Sequence, residues 1–262
     1  MDMGIKNWLR TWPKTKFGQS PKIPIIIPTF NNPTYLENMV GQLRSRNCHD
    51  IFVFDNSSNF PPMLDCLKKL ERSGVVVIRS RMNLGPRLFL NRFIYAALPE
   101  YFVLTDPDLQ LNDALPNDFL DQLKEATQTY KIGKAGFALD ISNVEQLRSG
   151  LFEVEGQKLS IVDWENQFWV SPLPPLPGGD PVYLARIDTT FALYNKSYFC
   201  RRRYGQAIRI GGRFTCRHLP WYNNNGLPHD EIEYYSQTQR HSHYLVRKHR
   251  IRDILKSFTL RH

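Results

Sequence analysis

Between residue 23 and about residue 140 the sequence alternates short apolar, β-rich runs with longer stretches whose apolar residues recur at helical spacing. Few folds accept that rhythm: it calls for βαβ units around a largely parallel sheet. Ile23 to Pro28 reads as a buried first strand, and Pro33 to Ser45 as a helix with Tyr35, Met39 and Leu43 on one face. The run ending at Asp55 is a second strand. The rhythm repeats with the helical MLDCLKKLERSG, the strand Val75 to Ser80, the helical PRLFLNRFIYAAL and the strand Tyr101 to Asp106.

In open α/β sheets ligands bind beyond the carboxyl ends of the strands. The segments Pro28-Thr29-Phe30-Asn31, Asp55-Asn56-Ser57, Asn83-Leu84-Gly85 and Asp106-Pro107-Asp108 are therefore expected on one rim. Two carboxylates so close at the end of an apolar strand repel each other and are costly to desolvate. A hard divalent cation bridging to diphosphate oxygens compensates them, although Asp and Pro also build ordinary strand-end turns. Asn83 to Arg87 sits between a strand and a helix, where Gly85 lets the backbone approach a ligand and Arg87 suits phosphate. An ordinary turn with a solvated arginine is the alternative. Asp55 offers hydrogen-bond acceptors to a base or ribose, and equally resembles a helix cap.

After Asp140 the alternation fades. Ser171 to Pro181 is too rich in proline and glycine for a helix or central strand and reads as a loop, with VYLARIDTTFALY as further strand beyond it. The last 25 or so residues are basic and helical in pattern. No run approaches the roughly 20 apolar residues of a spanning helix, and the first residues lack the apolar centre of a secretory signal. The four cysteines form no C-x-x-C pair, which fits a reducing cytoplasm. A formal charge of +9 favours anionic partners without choosing among them.

Taken in order, the four strand-end segments resemble the GT-A glycosyltransferases, particularly those of family 2, over roughly Ile23 to Leu123. The resemblance implies an α/β fold of the GT-A, Rossmann-like kind: a mixed, mainly parallel sheet flanked by helices. It implies one domain over residues 1–262, with a nucleotide-sugar half over about 20–125, an acceptor half over about 126–245 and a basic tail over about 246–262. Pro28, Thr29, Asn31, Asp55, Asn83, Arg87 and Asp106 would then meet the nucleotide sugar. Asp106 and Asp108 would hold Mn²⁺ or Mg²⁺, with His243 (or His241) as a late ligand. Pro107 inside the acidic motif departs from the family without removing its carboxylates.

Family 2 enzymes also carry an acidic pair late in the chain. Asp230 and Glu231 match it by order as the base that deprotonates the acceptor hydroxyl, with Glu233 and Asp188 as rivals. Gly211 to Gly226 clusters Arg217, His218 and Trp221 in the manner of a sugar-binding loop, and together with Asp188 these are the acceptor-side candidates; a packed aromatic turn is the plain alternative. The expected partners are a nucleoside-diphosphate sugar, UDP-linked by preference, and a glycan or lipid-linked acceptor in cell-surface polysaccharide synthesis. The cationic, aromatic-bearing ends suit an anionic membrane surface, so the expected location is cytoplasmic and peripheral to the membrane. Nucleic acid is not an expected partner. A nucleotidyltransferase lacks support, because no glycine-rich basic loop follows the first strand. A non-catalytic basic membrane- or nucleic-acid-binding protein leaves the four ordered motifs unexplained.

Overall fold

The computed structural model describes residues 23–149, 151–154 and 157–238. Strand β1 (Ile25–Thr29) is buried along its whole length, which is why it reads as a continuous apolar run rather than an alternating one. Helix α1 (Pro33–Ser45) opens on a proline, tolerated there because first-turn N–H groups have no helical partner. It buries Tyr35, Leu36, Met39, Val40 and Leu43. Strand β2 (Ile51–Asp55) pairs parallel with β1, and α2 (Pro61–Arg72) buries Met63, Cys66, Leu67 and Leu70 before β3 (Val76–Arg79).

The continuous helix expected next is broken. A 3₁₀ turn at Leu88–Leu90 precedes α3 (Arg92–Ala97), because the Asn91 side chain accepts from the Phe93 and Ile94 N–H groups and starts a new helix. Strands β4 (Tyr101–Leu104) and β5 (Leu109–Leu111) flank the acidic motif, and α4 (Phe119–Thr129) leads to β6 (Lys134–Leu139).

In the second half β7 (Leu151–Val154) and β8 (Gln157–Ser160) form their own two-stranded sheet. Ser160 and Asp163 make a capping box for α5 (Ile161–Asn166). The proline-rich segment holds only the two-residue β9 (Pro172–Leu173). VYLARIDTTFALY is two strands, β10 (Val182–Leu184) and β11 (Ala192–Asn195), and not one; the connection between them is a functional segment described below. Gly211 to His218, expected as loop, belongs to the long strand β12 (Ile208–His218), and α6 (His229–Thr238) follows.

The main sheet runs β3-β2-β1-β4-β11-β6-β12-β10-β9, with β5 paired to β12. Its β3-β2-β1-β4 part is entirely parallel, whereas β11 enters antiparallel between β4 and β6, and β12 runs parallel to β6. This is the α/β, GT-A-type mixed sheet expected from the sequence. Helices α1, α2 and α4 cover one face and α3 the other. Among the described residues no helix is long and apolar enough to cross a membrane. The basic ends, His241 and His243 lie outside the described residues.

Candidate active site

Parallel pairing places Thr29 directly opposite Asp55, and Asp55 opposite Arg79, so the first strand ends do share a rim. Pro28 is tolerated in a central strand because its missing N–H lies past the last β1–β4 pair, Ile26 with Leu104. Thr29 Oγ1 is buried without a hydrogen-bond partner among the described residues. Asp55 is buried and accepts the Ser58 N–H at 3.1 Å. Burial raises its pKa, and the bonds from Ser58 and the charge of Arg79 work against that rise.

Asn31 differs from its expected role as a nucleotide contact. Its backbone is left-handed (φ 49°), its Oδ1 accepts from the Asn59 and Phe60 N–H groups, and its Nδ2 donates to Asn59. The side chain is committed to tying the β1 loop to the β2 loop, so it shapes the rim from beneath. Asn83 likewise accepts the Gly85 N–H at 2.8 Å and closes its own turn, at a glycine whose φ of 74° disfavours any side chain. Asn56 holds that turn from below, accepting from the Leu84 N–H and donating to the Gly85 carbonyl.

Arg87 is not a solitary phosphate hook. Its Nε donates to Asp188 Oδ1 at 2.6 Å and its Nη2 to Asp188 Oδ2, a bidentate pair, while the guanidinium carbon stands 5.7 Å from the Tyr204 ring centre. Asp188, read from sequence as an acceptor contact or rival base, is thus engaged with Arg87. This leaves the Nη1 donors of Arg87 outside the pair.

Asp106 donates its backbone N–H to the Thr189 carbonyl at 3.1 Å. Burial pushes its carboxyl pKa well up, and the neighbouring charge of Asp108 pushes it further. Register decides what stands beside Asp108: β12 pairs with β5 so that His218 lies opposite Leu109, which brings His218 Nε2 to 3.4 Å from Asp108 Oδ2. A shift in register at the Gly211-Gly212 step, where Gly212 has φ 57°, lets β12 change partners from β10 to β5 and reach this position. Two mutually destabilised carboxylates with an imidazole alongside suit a divalent cation. Among the described residues no group of three or more such side chains is assembled.

Of the acceptor-side candidates, Trp221 is buried and packs edge-on against His218 at 4.9 Å, so it is no open stacking platform. Arg217 is 3.7 Å from Asp140 and lies over Tyr222. Asp230 and Glu231 open α6 and line a cleft of about 350 Å³ with Thr34, Glu37, Phe60, Asp65 and Pro228. Asp230 is exposed, whereas Glu231 is 3% exposed. Its Oε2 accepts from Thr34 Oγ1 at 2.6 Å and its Oε1 has no hydrogen-bond partner among the described residues. Burial raises the Glu231 pKa, partly offset by the bonds from Thr34.

Sequence reasoning missed Thr34, which orients Glu231, and four buried charges: Lys134, Glu165 paired with Arg209, and Asp180 paired with the more exposed Arg213. A short polar residue in a helix's first turn and single charged residues carry no local signal of these partners.

The parallel β3-β2-β1-β4 half and its acidic rim define a class, and the sequence agrees with it. Residues 25–146 match the model of the glycosyl transferase family 2, and the mixed, mainly parallel sheet is of the GT-A kind. Among solved structures, the mannosyltransferase PcManGT from Pyrobaculum calidifontis, in complex with GDP-Man and Mn²⁺, is 12% identical with a TM-score of 0.46, over 97% of this chain and 76% of that one. S. aureus TarS 1–349 is 14% identical with a TM-score of 0.40, over 67% of this chain and 47% of that one. No curated protein sequence matches the chain.

Proposed function

We propose that this chain is a glycosyltransferase that moves a sugar from a nucleoside-diphosphate donor, lying across the ends of β1 to β4, to a glycan or lipid-linked acceptor hydroxyl in surface-polysaccharide synthesis. The observation that carries the reading is the rim itself. It holds Thr29, whose hydroxyl has no hydrogen-bond partner among the described residues, the buried Asp55 opposite it, and the Asp106 carboxyl, raised by burial and by the charge of Asp108, all within the family-matched segment.

Thr29 and Asp55 would bind the base or ribose. Asp106 and Asp108 would hold Mn²⁺ or Mg²⁺, with His218 beside Asp108, and the ion supplies charge stabilisation to the departing diphosphate. Arg87 would direct its Nη1 donors to the same diphosphate while Asp188 fixes its fork. As the acceptor oxygen bonds to the anomeric carbon, the bond from that carbon to the diphosphate oxygen breaks, and a carboxylate takes the acceptor proton. Glu231 fits that base better than Asp230: Thr34 orients it, its second oxygen has no hydrogen-bond partner among the described residues, and burial raises its pKa, which favours proton uptake. Opposite-face attack with inversion is the geometry this single displacement requires.

Glu231→Gln keeps the shape and removes the base. We expect donor binding to be retained and transfer to fall about 10²- to 10⁴-fold, whereas Asp230→Asn falls less than tenfold. Steady-state transfer assays with both variants decide; full activity in Glu231→Gln removes it as the base.

A further inference from the structure

Strand β6 carries a lysine, Lys134, at 0% exposure into the aromatic layer beneath α3. Its Nζ lies 5.1 Å from the Tyr194 ring centre and 5.9 Å from that of Phe89. Its one hydrogen bond among the described residues goes to a backbone group, the Ile187 carbonyl, at 2.6 Å. Burial pushes its pKa down to about 7, opposed by Asp188 and assisted by Arg87 and Arg209. A methionine or leucine would fill the same space without the cost of burying an ammonium. Lysine differs from both in placing a strong donor at the end of an apolar stem.

That donor lands on a segment with a second task. Ile187 lies in the short connection, residues 185–191, between β10 and β11. The next residue, Asp188, takes the fork of Arg87. The one after, Thr189, accepts the Asp106 N–H through its carbonyl and bonds the Asp106 carboxylate through its side chain. One anchor therefore stands behind both the arginine and the acidic motif, which come from different strand ends more than 15 residues apart in sequence. Lys134 meets this segment through its bond to the Ile187 carbonyl, and its charge is also felt by Asp188 and Arg87.

We propose that Lys134 is a positioning residue for sugar transfer: by holding the Ile187 carbonyl it fixes the 187–189 turn, and through it sets Arg87 and Asp106 against the donor diphosphate. This rests on the glycosyl-transfer reading above. Arg87 and Asp106 act on charge that develops as the diphosphate departs, so loosening them lowers kcat more than it raises donor KM.

The test uses the full chain carrying Lys134→Met, with release of nucleoside diphosphate from a panel of UDP- and GDP-sugars with Mn²⁺ as one readout. Hydrogen exchange in peptides spanning 101–111 and 186–191 is the other. We expect kcat to fall about tenfold or more with donor KM within about twofold, and both peptides to exchange about tenfold faster while β1 and β2 are unchanged. Asp188→Asn lowers kcat in the same way, and the double variant loses no more than the worse single one. A folded Lys134→Met with wild-type kcat, or with wild-type exchange, overturns the proposal, as does a fully additive double variant. Lys134→Gln, which keeps a donor without the charge, is the second variant; if neither it nor Lys134→Met folds, the residue is structural and the proposal is wrong. Should the wild type release nucleoside diphosphate from no donor, the glycosyl-transfer reading fails by itself, and the exchange result still decides whether Lys134 holds the turn.

Discussion

The two halves of the sheet are built on different principles. In β3-β2-β1-β4 every pairing is parallel, the interior is apolar, and the polar groups sit at the strand ends. Around β6 and β12 the pairings are mixed and charge goes inside: Lys134, Glu165 and Arg209 are all buried. The first half presents chemistry at its edge and needs no ions to hold its shape. The second half uses buried ions to fix segments that have little regular structure, and through Asp188 and His218 it reaches back to Arg87 and Asp108 at the strand-end rim.

That contrast breaks most visibly at Glu165. Its carboxylate meets Arg209 in a pair with side chains 1% and 6% exposed, and the guanidinium also lies 4.1 Å from the Phe168 ring centre and donates to the Arg186 carbonyl. Burial drives the two partners toward their neutral forms, up for Glu165 and down for Arg209, so the pair persists because each compensates the other. Glu165→Ala leaves a buried guanidinium uncompensated, and urea unfolding should show a loss of about 3–5 kcal/mol. A loss below about 1 kcal/mol would mean that the second half does not depend on its internal ions.

Lys134 sharpens the same point through pH. Its folded pKa of about 7 lies below the ordinary 10.5, so between these values the unfolded chain binds more protons and stability rises with pH. Below pH 7 the burial cost is fully present, and above pH 10.5 it is gone. The difference in unfolding free energy between wild type and Lys134→Met should change in the wild type's favour across that window, by a few kcal/mol. A pH-independent difference would show that the ammonium is not the source.

The smallest effect belongs to the first half. Arg79 and Glu71 form an ion pair at 2.9 Å with both side chains 42% exposed. Arg79→Ala should change stability by less than about 1 kcal/mol, and less still at high salt. A larger loss would place ionic support in the half where none is needed.

The same division explains what the sequence made legible. Helix α1 and strand β2 were readable because each buries one periodic face or a continuous apolar run, a property of neighbouring residues. The rim followed from strand ends alone. Asn31 was readable as a rim residue but not as a loop tie, since its partners at Asn59 and Phe60 lie in another βα loop. The strand character of Gly211 to His218 was hidden by its glycines, which serve a register shift and not a loop. Arg87 with Asp188 lies 101 residues apart, and Thr34 with Glu231 197 apart, so no local pattern announces either pair.

The account stands or falls on metal-dependent donor binding at Asp108. The direct measurement is thermal unfolding of wild type and Asp108→Asn against UDP-, GDP-, dTDP- and CMP-sugars, each with and without Mn²⁺, since a ligand bound to the native state raises its apparent stability. The account predicts a shift for the wild type with one nucleotide class only when Mn²⁺ is present, and its loss in Asp108→Asn without a change in the ligand-free transition of more than a few degrees. A donor-dependent shift that survives in Asp108→Asn, or no shift with any donor in folded wild type, contradicts it.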